Sequence, residues 1–80
     1  MAIVTLRYWA AAKTAAGVAE ETIAADTLAG ALAGRSGQLG AVLARSSFLI
    51  DGRPVGSRAP ESVALDDGAV IEVLPPFAGG

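Results

Sequence analysis

ALDDGAVIEVLPPFAGG, residues 64–80, holds a turn, a strand, a stop and a tail in that order. Asp66-Asp67-Gly68 is a tight turn, because aspartate bonds nearby backbone and glycine accepts the positive φ that such turns need. Ala69–Leu74 follows as a strand, rich in β-branched residues. Neighbours along a strand point to opposite faces, so Ile71 and Val73 share one side and Val70, Glu72 and Leu74 the other. The charge on the second set marks it as the outer face. Pro75-Pro76 ends the strand, since proline has no amide to donate to a ladder. Phe77-Ala78-Gly79-Gly80 remains as a tail.

Upstream, Ser47–Ile50 and Arg53–Val55 flank Asp51-Gly52. Asp-Gly between apolar runs predicts a hairpin with a type I′ turn. Pro54 keeps the second strand short and at a sheet edge. At the other end of the chain, Ile3–Trp9 (IVTLRYW) reads as a strand, with Val4, Leu6 and Tyr8 on one face. Ala10–Ala16 (AAAKTAA) is strongly helix-forming and stops at Gly17. Glu20–Ala24 is a further strand. Leu28–Arg35, capped by Asp26 or Thr27, places Leu28, Ala31 and Leu32 on one helical face. Gly30 and Gly34 within it suit close packing on a sheet. Gln38–Arg45 adds a further helical segment, and Gly56–Glu61 is loop. The order strand, helix, strand, helix, hairpin, strand has too few helices to cover two sheet faces. An α+β fold with one mixed sheet and helices on one face is expected.

Length and composition remove whole classes of function. Eighty residues make one domain, 1–80. With 0 Cys and 0 His, no disulfide, thiolate nucleophile, imidazole base or Cys/His zinc site can form. The absence of cysteine fits a cytoplasmic location. The net charge is -2 and the pI about 4.8, so no basic field draws nucleic acid. Mean hydropathy is +0.51, yet the longest uncharged stretch, Ser36–Ala44, falls far short of the ~18 residues a membrane span needs. Met1–Trp9 lacks the pattern of a signal peptide. Glu20 and Glu21 point to opposite faces and cannot share a site. Asp66-Asp67 is explained by turn chemistry, and the single lysine, Lys13, by solvation. Side chains alone supply no catalytic machinery, and no cofactor is expected to be bound.

The tail is the remaining chemical feature. Ten glycines in 80 residues give a Gly-Gly end by chance with probability of roughly 0.016, the square of one eighth. Two residues without Cβ can enter a channel too narrow for any other side chain. A carboxylate there can be activated and attacked with little steric hindrance. The two prolines stiffen the exit of this tail, residues 75–80.

These residues together resemble the ubiquitin-like sulfur carriers of the MoaD/ThiS group, and within it the small subunit of molybdopterin synthase. The resemblance spans essentially the whole chain. It rests on Val4–Ala12 running into a helix that ends at Gly17, on Phe48–Val55, and above all on Leu65–Gly68 followed by Val70–Gly80. Three places depart from the family pattern: Lys13-Thr14 in the first helix, Pro54 in the hairpin, and the bulky Phe77 before the tail.

What the resemblance implies is a β-grasp fold and a role as a non-catalytic carrier in molybdenum cofactor biosynthesis. An E1-like adenylyltransferase would use ATP to adenylate the carboxylate of Gly80, and a sulfur donor protein would convert it to a thiocarboxylate. The large subunit of molybdopterin synthase would then receive the tail and pass sulfur to precursor Z. Gly80 carries the reactive group and Gly79 the slender approach. Leu74, Pro75, Pro76, Phe77 and Ala78 would face the partner. The same tail chemistry also serves carriers for thiamin, cysteine or tRNA thiolation, and protein modifiers joined to lysines. An interaction domain with an inert end is the remaining reading.

Overall fold

The computed structural model of the chain describes residues 1–76. Its elements are β1 (Ile3–Tyr8), α1 (Ala10–Ala16), β2 (Glu20–Ala24), α2 (Leu28–Leu32), α3 (Gly37–Leu43), β3 (Ser47–Ile50), β4 (Arg53–Pro54), a 3₁₀ turn (Pro60–Ser62) and β5 (Val70–Leu74). The five strands form one sheet in the order β2-β1-β5-β3-β4. β1 and β5 run parallel at its centre, and every other pair is antiparallel. This is the mixed sheet that the sequence predicts, in a β-grasp arrangement.

Alternation along the strands separates the two faces. Val4, Leu6 and Tyr8 of β1 and Ile71 and Val73 of β5 are all at most 1% exposed. Their register, Leu6 beside Ile71 and Tyr8 beside Val73, makes one continuous apolar stripe. The helices cover this face with Ala12, Leu28, Ala31 and Leu43, and Val55, Val63 and Leu65 close the core from the loops. Burying each large side chain there is worth about 1.5–3 kcal/mol. No helix among the described residues is long and apolar enough to cross a membrane.

Local rules explain most boundaries. Asp51 and Gly52 both have positive φ, 50° and 82°, as the type I′ hairpin turn requires. β4 is only two residues long, one fewer than expected, and Pro54 is its last. Thr27, rather than Asp26, caps α2: its Oγ1 accepts a hydrogen bond from the Gly30 amide at 3.1 Å. Asp26 instead accepts from the Ala2 amide at 3.0 Å. α2 stops at Leu32, three residues before the predicted end, because Ala33 turns to extended backbone and Gly34 takes φ 79°. Gly34 therefore ends the helix instead of packing within it. α3 likewise begins one residue earlier than predicted and closes at Leu43. The segment expected to be loop after Gly56 contains the start of the 3₁₀ turn, with Pro60 at its first position.

Candidate functional site: the open sheet face and the root of the tail

Because β1 and β5 are parallel and in register from Thr5–Val70 to Tyr8–Val73, both finish at the same edge of the sheet. The chain leaves β5 there, and α1 begins there. Leu74 is half-buried at this edge, less open than its outer-face position suggests, and lies across from Ser47 of β3. Pro75 is buried against the protein itself, and Pro76 is exposed. Of the two prolines, Pro76 is the one open to a partner. Phe77, Ala78, Gly79 and Gly80, on which the sequence places the reactive end and part of the contact surface, lie outside the described residues.

The face opposite the helices carries the outward set. Register places Glu20, Arg7, Glu72 and Leu49 in one row across β2, β1, β5 and β3. Glu72 is outward-facing, as predicted from the alternation of the last strand. Arg7 approaches Glu20 at 3.9 Å, with both side chains about half exposed. Such an exposed pair contributes little to stability. Beside this row, which Leu49 closes on β3, lie the partly exposed apolar side chains of Val70 and Leu74.

Trp9 completes the site, and sequence reasoning gave it no role. It is 46% exposed although it is the largest apolar side chain in the molecule. Its Nε1 donates to Glu72 Oε1 at 3.2 Å, which fixes the indole on the open face next to the tail root. The cause is the residue that follows. Ala10 has φ 49°, a left-handed conformation that costs a non-glycine residue free energy. That kink turns the chain from β1 into α1 within one residue and leaves Trp9 outside the helix, at its N-cap. Strained backbone of this kind persists only where the surrounding structure enforces it. The signal available in the sequence is the strand alternation, which sets Trp9 on the side of Arg7, opposite Val4, Leu6 and Tyr8.

On the inner side of the same edge sits a polar cluster. Glu21 is on the inward face of β2, where Tyr8 donates its hydroxyl to Glu21 Oε1 at 2.7 Å. Arg35 Nη2 meets the same oxygen at 2.7 Å. Burial, reinforced by the hydrogen bond to Glu21, pushes the Tyr8 hydroxyl up to about 12. Proton chemistry near neutral pH is therefore outside its range, and the cluster ties the α2–α3 connection to the sheet edge. Glu20 and Glu21 do face opposite ways, so no carboxylate dyad forms. Among the described residues no group of three acidic, histidine or cysteine side chains comes together to hold a metal.

Comparison with known proteins agrees with this geometry. The family model described as the ThiS family matches residues 6–80. No curated protein matches the chain closely enough to count as a relative. Among solved structures, the chain is similar to the small archaeal modifier protein 1 of Methanosarcina acetivorans. That match has 22% identity and a TM-score of 0.79, covering 100% of this chain and 98% of that one. A putative molybdopterin converting factor subunit 1 from Pyrococcus furiosus matches with 21% identity and a TM-score of 0.75, over 96% of this chain and 100% of that one. The complex of subunits 1 and 2 of the molybdopterin-converting factor from Helicobacter pylori contains a chain with 24% identity and a TM-score of 0.72, covering 98% and 99%. At these identities the structural matches speak to the fold, and the family model speaks to the lineage. The chain belongs to the ThiS family of ubiquitin-like sulfur carriers.

Proposed function

We propose that the chain is a sulfur carrier for molybdenum cofactor biosynthesis whose reactive group is the carboxylate of Gly80. The supporting observation is the meeting of two features at one edge. β5 and the last described residue, Pro76, end there, ahead of Gly79-Gly80 in the sequence, and Trp9, Leu74 and Leu49 leave an apolar surface uncovered beside them. Exposed apolar area next to a slender terminus suits a partner that grips the domain and threads the tail into its own active site. The Helicobacter pylori structure is described as a complex of subunits 1 and 2, which favours a large-subunit partner here. Catalysis then belongs to that partner, because this chain has no histidine or cysteine and one lysine. ATP is consumed by an E1-like adenylyltransferase, and a separate donor supplies the sulfur. Incubating the carrier with that enzyme, ATP and a sulfide source should raise its intact mass by the difference between one sulfur and one oxygen. An unchanged mass beside a competent activating enzyme contradicts the reading.

A second reading is favoured by the similarity to the small archaeal modifier protein. There the activated Gly80 carboxyl is joined to amines of other proteins. Carriers for thiamin, cysteine or tRNA thiolation use the same tail. Co-purification separates the three: a synthase large subunit, a ladder of heavier conjugates, or a thiazole synthase or tRNA-thiolating enzyme.

A further inference from the structure

We propose that the free edge of β2 pairs with β2 of a second copy of this chain, antiparallel about Thr22, joining the two sheets into one. The inference does not depend on the chemistry of the tail.

The two outermost strands of the sheet differ. β4 is two residues long and ends in Pro54, which has no amide to offer a further strand. β2 is five residues long, carries no proline or lysine, and keeps an unbroken register with β1 from Ile3–Ala24 to Arg7–Glu20. The ladder shows which of its backbone groups face out. Ala19 accepts from the Tyr8 amide at 2.8 Å, and the Ala25 amide donates to Ala2 at 2.9 Å. Antiparallel strands alternate between bonded and non-bonded pairs, so Glu21 and Ile23 also turn their backbone groups to β1. Glu20, Thr22 and Ala24 turn theirs to the sheet edge. All three residues are exposed, and no turn or loop hydrogen bond among the described residues reaches these groups. Such a regular, unblocked edge is a template for another strand.

Self-complementarity favours a second copy over an unrelated strand. A two-fold axis through Thr22 pairs all three outward residues at once: Thr22 with Thr22, and Glu20 with Ala24 in both directions. Each of these pairs exchanges two backbone hydrogen bonds. No carboxylate opposes another, because Glu21 meets Ile23. Both charges are also met within their own chain, Glu20 by Arg7 at 3.9 Å and Glu21 by Arg35 at 2.7 Å, so neither guards the edge. The apolar surroundings match as well. Val18, just ahead of β2, is 45% exposed, and Ile3, beside Ala24 at the far end, is 50% exposed. The two-fold carries Val18 of one copy to the Ala24 end of the other. Exposed apolar residues that stand at opposite ends of one strand are thereby gathered between two copies.

A contact of one strand is small, so the full chain is followed by sedimentation equilibrium up to about 1 mM, the range of weak complexes. The expected result is a mass that rises with concentration from one chain towards two, with amide exchange slowing at Glu20, Thr22 and Ala24 as it rises. Thr22→Pro removes the donor on the axis and no bond to β1, and should leave a monomer. Thr22→Lys and Thr22→Glu keep that donor and set like charges opposite each other, which decides the matter if the proline variant unfolds. Each alone should dimerise about fivefold more weakly, and an equimolar mixture should regain the lost affinity, because lysine then opposes glutamate. A single-chain mass at every concentration overturns the proposal. So does a dimer that Thr22→Lys leaves unchanged, a mixture that pairs no more tightly than its components, or a dimer that protects amides elsewhere and none on β2.

Discussion

At the edge of the sheet where β1 and β5 begin, three aspartates hold three backbone amides, whereas at the edge where they finish the polar contacts run between side chains, Tyr8 and Arg35 to Glu21 and Trp9 to Glu72. Asp26 Oδ1 accepts from the Ala2 amide at 3.0 Å, Asp67 Oδ1 from Ile3 at 2.8 Å and Asp51 Oδ1 from Val70 at 3.0 Å. Each carboxylate comes from a turn or loop and clips the start of a central strand, or the residue just before it. At the opposite edge lie the tail root, a strained Ala10 and a half-exposed Trp9. One edge supplies the register of the parallel pair, and the other presents a surface and a terminus. The separation allows the tail to be changed chemically without touching the contacts that hold the sheet.

The sharpest way to break this division is to remove Gly80. Sulfur transfer should be abolished, while unfolding by denaturant should shift by no more than ~0.5 kcal/mol, since terminal residues carry few contacts. A large stability loss would show that the tail belongs to the folded core. Next in size is Trp9→Ala. Affinity for the partner, measured by calorimetry, should weaken by about 2 kcal/mol if the indole is an interface anchor. Unchanged affinity would take Trp9 out of the interface.

Asp67→Ala probes the other edge. It removes an acceptor for the Ile3 amide, so stability should fall by ~1–2 kcal/mol with sulfur transfer retained. Loss of transfer at full stability would mean that the two edges are coupled. The smallest effect concerns the inner cluster. The Tyr8 hydroxyl is raised from 10.0 to about 12 in the folded protein, so the unfolded chain gives up this proton first as pH rises. The contribution is whole below pH 10 and is lost progressively up to about pH 12. With one tyrosine in the sequence, the tyrosinate absorbance of the native protein should titrate near 12. Ionisation at the ordinary value would place Tyr8 in water.

The two edges were not equally legible in the sequence. The Asp51-Gly52 turn, the alternation of β5 and the stop at Pro75 follow from local rules, and all three are found. Glu20 opposed to Glu21 also follows from strand alternation, and the exposed Lys13 from the solvation of a lone charge. What escaped is non-local or strained. Asp67 read as turn chemistry alone, because its acceptor role depends on a parallel strand 64 residues away in sequence. Ala10 read as the best of helix formers, which hides its left-handed φ. Trp9 reads as the last residue of a strand, on the Arg7 side, and not as the N-cap of α1. The early end of α2 reflects Gly34, whose positive φ no helical pattern announces.

The central claim is that Gly80 carries sulfur as a co-substrate, and single-turnover product counting tests it most directly. Thiocarboxylated carrier is mixed with precursor Z and the synthase large subunit, with no means of recharging. Molybdopterin should then stop at one molecule per two carriers, since a dithiolene holds two sulfurs, and none should form without the large subunit. Product formed by the isolated chain, or continuing beyond the sulfur supplied, would contradict the account.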